Sequence, residues 1–104
     1  MPTPDRGEVW LADLGYAAKT RPALVLSVPP APQDRVLATL VPHTTSVKGT
    51  RFEVMIPKPF LKAGAFDAQG LATVAIARLL RKLGELQPDE MALIEEAVKR
   101  WLGL

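Results

Sequence analysis

Thr20-Arg21-Pro22-Ala23-Leu24-Val25-Leu26-Ser27 and Pro42-His43-Thr44-Thr45-Ser46-Val47-Lys48-Gly49 decide how this chain folds. In the first stretch an arginine stands before an apolar run, and Pro29, Pro30 and Pro32 stop that run at Val28. This is the pattern of a buried strand with a cation at its mouth. The second stretch follows Arg35 to Val41, a run of β-branched and aliphatic residues, and passes into hydroxyls, a lysine and a glycine. If these two strands pair, a fixed positive charge faces a cluster of hydroxyl groups. That arrangement suits an anion such as a phosphodiester better than it suits an apolar core.

Outward from this pair, Gly7 to Leu14 alternates apolar and polar residues in its first half and reads as a strand, joined to the Arg21 strand by a short polar loop. Arg51 to Ile56 reads as a fourth strand closed by Pro57 and Pro59. Ala65 to Val74 is a further strand candidate, with Gly64 and Gly70 marking a turn and a bulge; Ala75 to Leu80 reads as a helical turn and Leu83 to Leu86 as a short last strand. The C-terminal segment carries helix signals. Pro88 suits the first helical position, and Asp89 and Glu90 suit the positive first turn. Met91, Ile94, Val98 and Trp101 share one face, Glu95 and Lys99 have i, i+4 spacing, and Gly103 is a stop signal. Closely spaced strands followed by one amphipathic helix predict a mainly β fold, a small barrel or half-barrel with a C-terminal α-helix.

The chain has 104 residues, 48% of them apolar, which predicts one domain over residues 1–104 with a modest core. The absence of cysteine excludes disulfides, zinc–thiolate sites and a thiol nucleophile, and fits a cytoplasmic protein. A single histidine without cysteine speaks against a metal site, and no cofactor is expected. No stretch is apolar enough to cross a membrane, and the polar, proline-rich start is unlike a signal peptide. The net charge is only +2, but its distribution is uneven. From Leu14 to Arg51 the bases Lys19, Arg21, Arg35, Lys48 and Arg51 face one acid, Asp34; from Glu85 to Glu96 there are five acids and no base. Such a distribution would steer an anion to one face.

Taken in order, Arg6-Gly7-Glu8-Val9-Trp10, the Arg21–Ser27 strand, Val41-Pro42-His43-Thr44-Thr45, Lys48-Gly49 and Phe52-Glu53-Val54 resemble the MazF/PemK family of toxin–antitoxin ribonucleases, with a weaker match around Gln69 and in the last helix. The resemblance covers most of the chain. It implies an SH3-like barrel of the MazF/PemK/CcdB type, a homodimer, sequence-selective cleavage of single-stranded RNA without metal, and a cognate antitoxin as partner. It implies catalytic roles for Arg21 and Thr44. Lys19, Thr20, His43, Thr45, Ser46, Lys48 and Gln69 are the residues expected to bind substrate around them. Strand alternation sets His43 and Thr44 on opposite faces unless a turn begins there.

The chain departs from the family pattern in two places. The loop Gly15–Thr20 is short and holds no carboxylate where family members have a glutamate. Asp67 and Gln69 are separated by Ala68, and no base follows closely. The implied site is therefore thinner, and His43 or Lys19 could compensate. Two other readings compete with the ribonuclease: a non-catalytic CcdB-like toxin that binds DNA gyrase, and a homologue that acts only through its antitoxin in controlling their operon.

Overall fold

In the computed structural model, residues 3–15 and 20–104 are described, and they form seven strands and one α-helix. The strands are β1 (Glu8–Asp13), β2 (Thr20–Val25), β3 (Leu37–Thr44), β4 (Glu53–Val54), β5 (Ala65–Asp67), β6 (Ala72–Ala75) and β7 (Leu79–Glu85). Single 3₁₀ turns at Ala68–Gly70 and Ile76–Arg78 link the later strands, and α1 spans Pro88–Leu102. The sheet runs β4-β5-β3-β2-β1-β7, with β6 also on β3. The order does not close on itself, so the molecule is an open, barrel-like β fold backed by the C-terminal helix. No helix among the described residues is long and apolar enough to cross a membrane.

Strand alternation divides the apolar residues between two cores. Val9, Leu24, Val41 and Phe66 pack with Met91, Ile94 and Val98 of α1. Trp10, Ala12, Ala23, Val25 and Leu40 enter a second cluster with Ile76 and Leu79. Ile94 is 1% exposed; burying a side chain of this size contributes about 1.5–3 kcal/mol. Trp101, expected on the buried face of the helix, lies at its edge, 43% exposed and edge-on to Phe52.

The strand bounds differ from those read in the sequence, each for a physical reason. β3 does not stop at Val41 but runs through Pro42 and His43 to Thr44. Proline keeps an extended φ, and tertiary pairing supplies the rest: Pro42 pairs with Ala23 of β2, His43 and Thr44 pair with Phe66 and Ala65 of β5. β2 begins at Thr20 and so takes Arg21 into the sheet. β4 shrinks to two residues because β5, its only partner among the described residues, offers Phe66 and Asp67 alone. β7 is longer than expected, since it follows β1 through two register shifts, between Val9 and Trp10 and between Leu11 and Ala12. Each shift breaks the alternation that marks a strand in sequence.

The helix is as expected at both ends. The Gln87 N–H donates to Glu90 Oε1 at 2.7 Å, and Gly103 closes the helix with a left-handed φ of 73°. The surface charges are arranged differently from the expectation. Glu95 pairs with Arg6 rather than Lys99, Glu90 pairs with Lys58, Glu96 with Arg100 and Glu85 with Lys82. Four of the five acids of the C-terminal run are thus neutralised locally.

Candidate nucleic-acid site

A cleft of about 500 Å³ opens over the start of β2 and the end of β3. One wall is set by register across three strands. Pro22 of β2 pairs with Leu11 of β1, and Leu11 pairs with Arg81 of β7; all three line the cleft. Thr20 and Arg21 stand at the β2 end, and His43, Thr44, Thr45 and Ser46 at the β3 end. Phe60 and Lys62, from the segment before β5, complete the lining with Leu83 of β7.

The cleft therefore unites Thr20, Arg21, His43, Thr44, Thr45 and Ser46 of the residues singled out in the sequence. It does not take in Lys48, whose backbone N–H is bound by the Glu53 carboxylate at 3.0 Å, or Gln69, whose N–H donates to Asp67 Oδ1 within a 3₁₀ turn. Lys19 lies outside the described residues. Lys62, Arg81 and the apolar walls Leu11, Phe60 and Leu83 escaped sequence reading. Arg81 sits in the strand whose alternation the register shifts obscure, and Lys62 belongs to no regular element, so no local signal marked either.

Phe60 is seated by a glycine: a Cβ at Gly84 would lie 2.4 Å from its ring. The hydroxyl of Thr44 is oriented locally, because its Oγ1 accepts the Ser46 N–H at 3.0 Å. One lone pair is thereby used, while the O–H proton stays free to be donated to a ligand. The loop that follows is held by Glu53, which accepts from the Lys48 and Thr50 N–H groups; these bonds keep its pKa below the ordinary 4.5.

The electrostatics have one sign. Arg21, Lys62 and Arg81 line the cleft, no carboxylate does, and none of the three has an ion-pair partner among the described residues. Three cations with four hydroxyl side chains and no acid make an anion site. Apolar surface beside them at Leu11, Pro22, Phe60 and Leu83 suits the faces of nucleobases. His43, 4% exposed, lies against Phe66 with ring centroids 5.1 Å apart at 76°, and burial lowers its pKa from the ordinary 6.5. Both His43 and Thr44 line the cleft, which lies over the end of β3, although they pair in unbroken register with Phe66 and Ala65 of β5.

Known proteins share this architecture. The chain is 31% identical over 113 residues to the endoribonuclease MazF9 of Mycobacterium tuberculosis, covering 95% of this chain and 96% of that protein. It is 30% identical over 99 residues to a second protein of that organism, named probable endoribonuclease MazF5, covering 92% and 90%. Among solved structures, a mycobacterial endoribonuclease in complex with its cognate antitoxin superposes with a TM-score of 0.79 at 29% identity, over 100% of this chain and 97% of that one. A family profile described as PemK-like, MazF-like toxin of type II toxin–antitoxin system matches residues 5–102. With nearly its whole length matched and the strand-end cleft in place, the chain belongs to the PemK-like, MazF-like toxins of type II toxin–antitoxin systems.

Proposed function

We propose that this protein is the toxin of a type II toxin–antitoxin pair, acting in the cytoplasm as one toxin domain, a sequence-selective endoribonuclease on single-stranded RNA. The observation that carries the reading is the acid-free cleft with Arg21, Lys62 and Arg81 beside the Thr44–Ser46 hydroxyls. The relatives named as endoribonucleases support it and separate it from the gyrase-binding alternative.

RNA brings its own nucleophile, the 2′-hydroxyl. The protein must bind the scissile phosphate, align that hydroxyl and stabilise the charge that grows on the non-bridging oxygens. Arg21 does this with a positively charged, planar fork of N–H donors. Thr44 donates its free O–H to the phosphate, and Lys62 and Arg81 add positive potential. The chemistry the cleft needs is thus available in its own side chains, and cleavage is expected to proceed without a divalent metal. The antitoxin would cover the same cleft with an acidic, apolar segment. A second copy of the chain is the further partner, and the exposed Val36, Leu37 and Leu80 are apolar surface available to it; sedimentation of the isolated protein tests the dimer.

The deciding experiment incubates the protein with a long single-stranded RNA in EDTA and maps the ends. Discrete cuts with a 2′,3′-cyclic phosphate and a 5′-hydroxyl are expected. Arg21→Ala should lower cleavage by about 10²–10³-fold, the loss typical of one oxyanion donor, with an unchanged melting temperature. Well-folded protein that leaves RNA intact would defeat the ribonuclease reading and favour a toxin acting through its antitoxin alone. An Arg21→Ala variant that cuts as well as the parent would defeat the site assignment.

A further inference from the structure

We infer that His43 is the general base of this reaction, its neutral imidazole taking the proton of the attacking 2′-hydroxyl. The inference rests on the ribonuclease reading and deepens it. Three observations carry it. The ring is held in one place, edge-on to Phe66 at 5.1 Å and packed over Gly64, where a Cβ would come within 2.8 Å of His43 Cε1. It forms part of the wall between the main cleft and a second, mostly apolar cavity of about 280 Å³, lining both. Its nitrogens have no hydrogen-bond partner among the described residues, and no fully buried side-chain nitrogen or oxygen there lacks one, so the nitrogens meet the open space of the cavities.

Elimination leads to the same group. A base must accept a proton near neutral pH. Among the described residues, no aspartate or glutamate lines either cavity. Arginine and lysine side chains offer donors and no acceptor, and hydroxyls are poor bases. Among the described lining residues only His43 is left.

The surroundings keep it unprotonated. The charged groups lining the main cleft with it are Arg21 from β2, Arg81 from β7 and Lys62 from the segment before β5. In the smaller cavity Lys58 is compensated by Glu90 at 2.7 Å. Burial disfavours the imidazolium and holds the His43 pKa below its ordinary 6.5.

The step balances as follows. The O2′–H bond breaks and its proton passes to the free ring nitrogen while O2′ bonds to phosphorus. The P–O5′ bond breaks, and the departing oxygen takes a proton from water. The hydroxide so formed removes the proton from the imidazolium, restoring the base. A 2′,3′-cyclic phosphate and a 5′-hydroxyl remain.

Since His43 is the one histidine in the chain, its Cε1–H resonance needs no assignment. The test is to titrate it by NMR in the free protein and compare the midpoint with the acid limb of kcat/KM, which reports the free enzyme. Agreement within about half a pH unit supports the inference; a separate midpoint, or no acid limb, overturns it. His43→Gln should lose about 10²–10⁴-fold in kcat/KM, the usual contribution of a general base. It should lose the acid limb while binding a non-cleavable 2′-deoxy oligonucleotide as the parent does. A variant that cleaves at the parent rate, or retains the limb, overturns the inference while leaving the ribonuclease reading intact. If His43→Gln shows no cooperative melt, the comparison on the parent protein decides alone. Parent protein that cuts no RNA would instead sink the ribonuclease reading itself.

Discussion

Gly64 lies so close to the end of β3 that a Cβ there would sit 2.1 Å from the Thr44 carbonyl oxygen and 2.8 Å from His43 Cε1. Both distances are below any real van der Waals contact, and one partner is backbone, so a side chain at 64 must displace the residues that shape the cleft. Gly64→Ala is expected to cost about 1–3 kcal/mol of stability, the usual range for overpacking. It should also lower RNA cleavage measured well below its own melting temperature. Cleavage at the parent rate in a destabilised variant would show that Thr44 and His43 need no such support. The requirement is invisible in sequence, where Gly64 reads as a turn residue; only the approach of two distant segments makes it a packing residue. The strand-end positions of Arg21 and Thr44, by contrast, were legible, because an arginine before an apolar strand and hydroxyls after one are local patterns; the catalytic roles expected of them came from the family resemblance.

At the scale of elements, α1 and β7 behave in opposite ways. Every determinant of α1 is local: proline at its start, acids in the first turn, a 3.6-residue apolar period and a glycine at its end. Gly103 adopts φ 73° and donates to the Lys99 carbonyl, with open space where a Cβ would lie. Gly103→Ala should therefore cost about 1–2 kcal/mol, the left-handed penalty alone, read as a lower melting temperature with RNA cleavage unchanged. β7 has no such local code. Its register on β1 shifts twice, so its side chains do not alternate regularly. Arg81 reaches the cleft through pairing with Leu11 on a neighbouring strand, which a one-dimensional pattern does not display.

For the molecule as a whole, titration ties the site to stability. His43 has a folded pKa below 6.5 because burial opposes its charge. The unfolded chain then binds more protons on acidification, so stability is full above about pH 6.5 and declines below it until the folded pKa is passed. Glu53 and Glu90 have folded pKa values below 4.5, held there first by backbone N–H donors, from Lys48 and Thr50 and from Gln87. Their contribution is present above the unfolded value and is lost as pH falls through the folded one. Thermal melts should thus show two declines on acidification, and His43→Gln should remove the upper one alone. A parent melting temperature constant from pH 7 to pH 5 would contradict the buried neutral histidine. The same scale separates what each level of description decided. By itself the sequence determined the chemistry on offer: a mainly β chain with a closing helix, no cysteine, one histidine, and a cation and hydroxyls at strand ends. These follow from residue type and short periodicities, which act over a few neighbours. Only the tertiary structure decided which groups share the cleft. It admitted Lys62 and Arg81, left out Lys48 and Gln69, and put both His43 and Thr44 in the lining of one cleft. Register, bulges and close contact between distant segments set those positions, and their causes lie far apart along the chain.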